Sequence, residues 1–312
     1  MDFKTCMQQN SAILMEGALG ERLKREYHIT FDEHVAMAGL VYNLRGMKAL
    51  SELWNGYIDI ARQYNLPFIA TTPTRRANQE RVSASRYSER IIKDNVQFLR
   101  NIQKSADVEM YIGGLVGCKG DAYTAEGALT EEEAYLFHKW TVTQFYEAGV
   151  DFLYAGIMPA LPEAAGLSKA VSETKLPYII SFTVQKDGKL IDGTSIAAAI
   201  HYIDTHVENP PVCYMANCVH PRILYEALSQ PFNQAEEVKR RFLGIQANTS
   251  PLSYAELDGA IDLKCSEPKA FAEEMIKLSE IADIKVWGGC CGTDTRHMTE
   301  IAEKVHGILE IM

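Results

Sequence analysis

The sequence predicts an α/β fold, specifically a TIM (β/α)8 barrel in a single domain over residues 1–312. Three observations carry that prediction: eight short apolar runs bounded by turn residues, helical periodicity between them, and no Gly-, Pro- or Ser-rich linker that breaks the series. A chain of 312 residues suits one such barrel. An open doubly wound sheet shares the alternation, because the pattern sets the order of elements and leaves closure undecided.

The β-like runs are Ala12 to Met15, Phe68 to Thr71, Val108 to Ile112, Phe152 to Ala155, Tyr178 to Val184, Val212 to Met215, Phe242 to Gln246 and Ile284 to Trp287. Helical spacing appears over Ser51 to Tyr64, Glu131 to Glu147, Glu163 to Val171, Ser195 to His206, Arg222 to Leu228 and Pro268 to Ile281. After the last strand, Asp294 or Thr295 is placed to cap a helix that runs to about Val305. Thr130 followed by the acidic run Glu131 to Glu133 reads as another helix start, since carboxylates favour the positive end of the helix dipole. Polar and glycine-rich residues gather after the strands, at Glu16-Gly17, Thr72 to Arg76, Gly113 to Gly117, Asn217-Cys218 and Gly288 to Thr293. In a barrel these positions share the C-terminal rim, where active sites form. The stretches Met7 to Ser11 and Thr30 to Gly46 are candidates to cover that rim.

Composition narrows the function. Hydrophobic residues at 47% and charged residues at 23% are ordinary for a globular protein and supply a large core. A net charge of -10 repels polyanions, so nucleic acid is excluded as a partner. The longest apolar runs, such as Ile196 to Ile200, are far short of the ~20 residues that span a bilayer. Met1-Asp2-Phe3-Lys4 opens no signal peptide, and a cytoplasmic location is expected. Gly-x-Gly-x-x-Gly, Walker A and His-Glu-x-x-His patterns do not occur.

Seven unevenly spaced cysteines argue against a secreted disulfide framework and toward metal binding or thiol chemistry. Cys218 follows the sixth strand, and Cys290-Cys291 follow the eighth between glycines. Adjacent side chains on a strand point to opposite faces, so both sulfurs reach one ion only where the chain turns sharply. Three thiolates with an open fourth position suit catalytic zinc, and their charge favours thiol activation over hydrolysis. A buried apolar Cys-Cys pair and a strained vicinal disulfide are the competing readings of the same residues. Cys6, Cys118, Cys213 and Cys265 read as small apolar residues. His220 and His297 lie close to the cysteines in sequence, as a fourth ligand or base would, and equally as histidines at helix starts.

Gly288-Gly289-Cys290-Cys291-Gly292-Thr293, with Asn217-Cys218 upstream, resembles the homocysteine S-methyltransferase family over nearly the whole chain. Met15-Glu16-Gly17-Ala18-Leu19-Gly20, Ala70 to Asn78, and Ser181-Phe182-Thr183 with Asp187-Gly188 and Asp192-Gly193-Thr194 are similar to further family segments in the same order. The resemblance implies a barrel with Zn2+ on Cys218, Cys290 and Cys291. It implies an acceptor thiol, homocysteine giving methionine, and an onium, corrinoid or folate-type methyl donor, with a corrinoid protein as a possible partner. Glu16, Gly17, Thr72 and Asn217 are the expected substrate-binding residues.

Two departures bear on the substrate. Glu16 stands where the family has Asp. Ala155-Gly156-Ile157-Met158-Pro159 stands where the family has Phe-Glu-Thr-Ile-Pro, so Gly156 replaces a carboxylate expected to hold the substrate ammonium. Losing one member of a buried charged pair costs ~3 to 5 kcal/mol. Glu16, Glu163 or Asp121 must then take over, or the acceptor is another thiol or a corrinoid partner. A zinc- or thiol-binding homologue without catalysis is the remaining alternative. Thr74 and Arg75 are placed either for a substrate carboxylate or for the loop backbone.

Overall fold

Eight parallel strands close into a barrel in the order β1 to β8, with β1 paired to both β2 and β8. The computed structural model describes residues 1–252 and 266–311; Cys265 lies outside the described residues. The strands are β1 Ile13–Met15, β2 Phe68–Thr71, β3 Met110–Gly117, β4 Phe152–Met158, β5 Tyr178–Phe182, β6 Cys213–Val219, β7 Phe242–Ala247 and β8 Val286–Gly289. Closure settles the choice between barrel and open sheet. All eight expected runs contain a strand, because strands buried on both faces read as unbroken apolar segments.

Alternation sorts side chains into two cores. Ile13, Met15, Ile69, Tyr111, Phe152, Tyr154, Cys213 and Met215 fill the lumen, while Leu14, Ile112, Leu153 and Tyr214 face the surrounding helices. Cys6 and Cys213 are buried in this lumen packing, as small apolar residues would be.

The helical layer comprises α1 Phe3–Gln9, α2 Gly20–Arg25, α3 Leu44–Gln63, α4 Gln79–Ala84, α5 Arg90–Gln103, α6 Glu131–Ala148, α7 Leu161–Ser172, α8 Ile196–His206, α9 Pro221–Leu228, α10 Glu236–Arg241, α11 Pro268–Lys277 and α12 Thr295–Ile311. In α3 the buried positions 50, 53, 54, 57, 58 and 61 form one stripe, and Asn43 caps the start by accepting from Gly46 N at 2.6 Å. That cap begins the helix seven residues before the apolar periodicity does. Thr130 and Glu133 make the reciprocal capping box expected at α6, and Gly149 closes that helix at φ 73°.

Of the two proposed covers, Met7 to Ser11 lies away from the rim. Met7 belongs to α1, which plugs the opposite end of the barrel: Phe3 stacks on Phe152 at 3.9 Å and meets Tyr111 edge-on at 5.5 Å. Thr30 to Gly46 contains a 3-10 helix, Met37–Tyr42, whose buried Ala38 and Leu40 pack into the outer core beside α3 and α5.

Candidate metal and thiol site

The C-terminal ends of three strands extend further than the sequence suggests. Gly113 to Gly117 and Asn217-Cys218 are not loops after β3 and β6 but the last residues of those strands, and Gly288-Gly289 end β8. The glycines mislead because they stand where neighbouring rings crowd the sheet. A Cβ on Gly113 would fall 2.6 Å from the Phe152 ring, and one on Gly114 2.6 Å from the Phe145 ring.

Cys218 reaches the rim through a distortion of β6. Register shifts between Asn217 and Val219, and Cys218 adopts φ 57°, a left-handed conformation rare outside glycine. The same device occurs in β4, where register shifts between Ala155 and Met158 and Ile157 has φ 52°. Asn217 Oδ1 joins the two bulges: it accepts from Ile157 N at 2.9 Å and from Ser181 Oγ at 2.8 Å. Strict alternation would send Cys218 outward to the helices. The bulge instead turns it into a small cluster with Ala122 and Ile157, against which Cys118 and Cys290 pack.

Cys290 and Cys291 leave β8 in a turn netted from several sides. Cys290 N donates to Ala247 O at 2.7 Å, Thr293 Oγ1 donates to Cys290 O at 2.7 Å, and Thr249 N donates to Cys291 O at 3.1 Å. Gly292 has φ 84°, its N donates to Glu21 at 2.7 Å, and a Cβ there would collide with Thr249. This position therefore requires glycine.

The three Sγ atoms all lie within 4.8 Å of one another. Those of Cys218 and Cys290 are in contact, with Cα atoms 5.5 Å apart, and Cys291 Sγ is 4.0 Å from Cys290 Sγ, so the vicinal pair is not bonded to itself. Four-coordinate zinc with Zn–S near 2.3 Å places sulfurs about 3.8 Å apart, a spacing that Cys290 and Cys291 approach, whereas Cys218 and Cys290 stand closer, at disulfide contact; the three-sulfur donor set fits zinc in its chemistry. Cys218 is buried, Cys290 half-buried and Cys291 open to the mouth. Loss of bulk water, then Glu21, pushes the Cys291 thiol pKa up, and Arg75 opposes them. A divalent cation compensates a site of this kind by favouring the thiolates.

Among the described residues, no histidine or carboxylate joins this group. His220 Nδ1 caps α9 by accepting from Arg222 N at 3.2 Å, and burial pulls its pKa down to about 4. His297 is buried between Asp294 Oδ1 at 2.8 Å and Ser266 O at 3.0 Å. Both are occupied in the helical layer.

The other expected site residues have their polar atoms engaged within the fold. Glu16 is 2% exposed and accepts from Trp54 Nε1 at 2.6 Å, Thr71 N at 3.0 Å and Thr71 Oγ1. Burial pushes its carboxyl up to about 7, with the Thr71 and Trp54 hydrogen bonds acting the other way. Gly17 lets the Tyr57 ring come within 2.8 Å of where a Cβ would stand. Thr72 Oγ1 accepts from Leu115 N at 3.0 Å and bonds Thr74 Oγ1, which donates to Leu115 O at 2.9 Å. Thr72 and Thr74 thus stitch β2 to β3, which answers their alternative reading as loop-satisfying residues. Glu163 is buried between α6 and α7, accepting from Lys119 N at 2.7 Å and facing His138 Nε2 at 3.1 Å.

Two features were not legible in sequence. Leu115 is a half-buried lumen residue at the mouth, and a Cβ on Gly156 would fall 2.8 Å from Leu115 Cδ1 and 3.2 Å from the Tyr154 ring. An apolar wall thus occupies the space beside Gly156. A cavity of about 660 Å³ opens beside Cys218, lined by Tyr123, Val184, Ile191, Val219 and Leu252, with Lys186 and Arg222 both paired to Glu226.

A closed (β/α)8 barrel with three converging cysteines on its C-terminal rim defines the class, a barrel protein whose rim carries a sulfur trio able to hold a metal. Residues 13–305 match the model of the homocysteine S-methyltransferase family, and the chain belongs to that family. It is 31% identical over 88 residues to homocysteine S-methyltransferase YbgG of Bacillus subtilis, a match that spans 28% of this chain and 28% of that relative. The metallated form of the homocysteine methyltransferase MmuM from Escherichia coli superposes with a TM-score of 0.74 at 17% identity, covering 96% of this chain and 98% of the other. The oxidised form of MmuM gives 0.75 at 18% identity, covering 96% and 97%. These likenesses share the barrel fold. No helix among the described residues is long and apolar enough to cross a membrane.

Proposed function

We propose that residues 1–312 form one catalytic domain that transfers a methyl group to the sulfur of a small thiol, using zinc on Cys218, Cys290 and Cys291. The observation that carries this reading is the convergence of three sulfurs within 4.8 Å with no fourth protein ligand among the described residues. Family membership supports it. Bound zinc supplies the Lewis acidity that favours loss of the thiol proton near neutral pH.

The chain's own residues do the rest. The Asn217 bridge holds Cys218 in its left-handed turn, and the Thr249, Thr293 and Glu21 contacts hold the vicinal pair. Glu16, Gly17, Thr72 and Asn217 build the wall behind the acceptor. The cavity beside Cys218 gives a small onium donor room in line with the sulfur, whereas a corrinoid would have to be presented at the mouth by a partner protein. Homocysteine, giving methionine, is the acceptor that the names of the relatives bring to the panel. The apolar contact between Gly156 and Leu115 favours a second reading, a thiol without the amino group.

The test is zinc stoichiometry and thioether formation in wild type and Cys290→Ser, with S-methylmethionine and methylcobalamin as donors. Wild type is expected to hold one zinc and form product. Cys290→Ser is expected to lose metal affinity by more than the ~10–100-fold that outer-shell partners cost, and to lose turnover with it. Full zinc content and full methylation in that variant would refute the mechanism. Metal-dependent thiol binding without product from either donor would mark a non-catalytic homologue.

A further inference from the structure

Resting on the S-methyltransfer reading, we propose that the acceptor is a thiol acid without an ammonium group. Its sulfur lies at the cysteine trio, its carbon chain lies over Leu115 and Gly156, and its carboxylate or sulfonate lies at Arg75.

The atoms nearest a Cβ on Gly156 belong to Leu115 and Tyr154, and most of the described carboxylates around the mouth are already engaged. Glu16 is committed to Trp54 and Thr71, and Glu21 to Gly292 N and Arg25. Asp121 accepts from Tyr123 N at 2.7 Å and Thr124 N at 2.8 Å. Glu163 keeps one unpartnered oxygen, but it sits with His138 in the layer between α6 and α7. What lies next to Gly156 is Leu115, so an amine placed there would shed water and gain no counter-charge.

The opposite charge is provided for. Thr74, fixed to Leu115 O, sets Arg75 at the end of β2, and the stem of Arg75 crosses the end of β3 where Gly117 has no side chain. A Cβ on Gly117 would come 2.6 Å from Arg75 Cγ. The guanidinium is exposed, and no ion pair or hydrogen bond to it is found among the described residues. The stem thus sits over Gly117, which pairs with Gly156 across β3 and β4. In a chain of net charge -10, an exposed arginine beside the Gly117–Gly156 pair is a built-in attraction for an anion.

The reaction balances simply. The acceptor thiol gives its proton to solvent, its sulfur forms a bond to the methyl carbon, and the donor-to-methyl bond breaks with its electron pair leaving on the donor.

The experiment measures binding on the cobalt-substituted protein, where sulfur entry changes the visible spectrum, and methylation on the zinc protein. The probes are 3-mercaptopropionate, 2-mercaptoethanesulfonate, cysteamine and homocysteine. Both thiol acids are expected to bind and to be methylated with higher kcat/KM than homocysteine. Arg75→Ala should weaken the thiol acids about 10-fold, Arg75→Lys should restore part of that, and cysteamine should be unaffected. Leu115→Ala/Gly156→Glu should move preference toward homocysteine. Tighter binding of homocysteine by wild type, particularly if Glu163→Gln abolishes it, would overturn the proposal while leaving methyl transfer intact. Equal weakening of every probe by Arg75→Ala would also overturn it. Failure of every thiol to be methylated while the thiol acids still bind through Arg75 would refute the transfer reading alone.

Discussion

Glu16 sets a pH dependence of stability that one substitution should remove. Its carboxyl is fully buried and raised from 4.5 to about 7, because desolvation outweighs the three hydrogen bonds it accepts. The folded protein therefore holds this proton more tightly than the unfolded chain does. The stabilisation is complete below pH 4.5, falls as pH rises toward 7, and is gone above that. At about 1.4 kcal/mol per pKa unit, the raise corresponds to roughly 3 kcal/mol between the two plateaus. Glu16→Gln keeps the shape and carries no charge. Its carbonyl oxygen replaces the acceptor shared by Trp54 and Thr71 N, and its amide donates to Thr71 Oγ1. Urea unfolding of wild type and variant from pH 4.5 to 8.5 isolates this group, since other titrations cancel in the difference. The variant should gain on wild type steadily across that range, by up to about 3 kcal/mol at the alkaline end. A difference that is constant with pH, or a variant less stable than wild type at pH 8, would refute the assignment of a raised, buried carboxyl.

Asn217→Ala should leave Ile157 N and Ser181 Oγ without their acceptor, costing about 1–3 kcal/mol in chemical denaturation. It should also lower zinc affinity, because Cys218 loses the brace on its left-handed turn; unchanged metal affinity would separate the two roles. Phe3→Ala should cost about 3–5 kcal/mol by emptying the base of the lumen, with zinc stoichiometry of the folded fraction unchanged.

The strands were legible because a parallel barrel buries both of their faces, which leaves continuous apolar runs such as Tyr178 to Phe182. Their C-terminal ends were not. Gly113, Gly114 and Gly117 look like loop residues until the rings of Phe152 and Phe145 and the stem of Arg75 are seen in the space beside them. The seven-residue α1 is too short to show a period, and its place at the base depends on Phe3 meeting Phe152, 149 positions away. Within the site, the cysteine trio could be read because two adjacent cysteines between glycines have few other uses. The Leu115 wall could not, since it depends on the β3–β4 register that pairs Gly117 with Gly156.

The α1 plug has a consequence for the kinetics. With Phe3 and Met7 filling the base of the barrel, the proposed acceptor and donor would both approach from the rim. In the proposed reading the thiol lies over Leu115 and the donor in the cavity beside Cys218. If the donor covers the seated thiol, the proposed transfer runs in a fixed order, thiol first and thioether last, and initial-rate kinetics that show random order would refute this. Such an enzyme would be slowed by its donor whenever that molecule arrived at an empty floor.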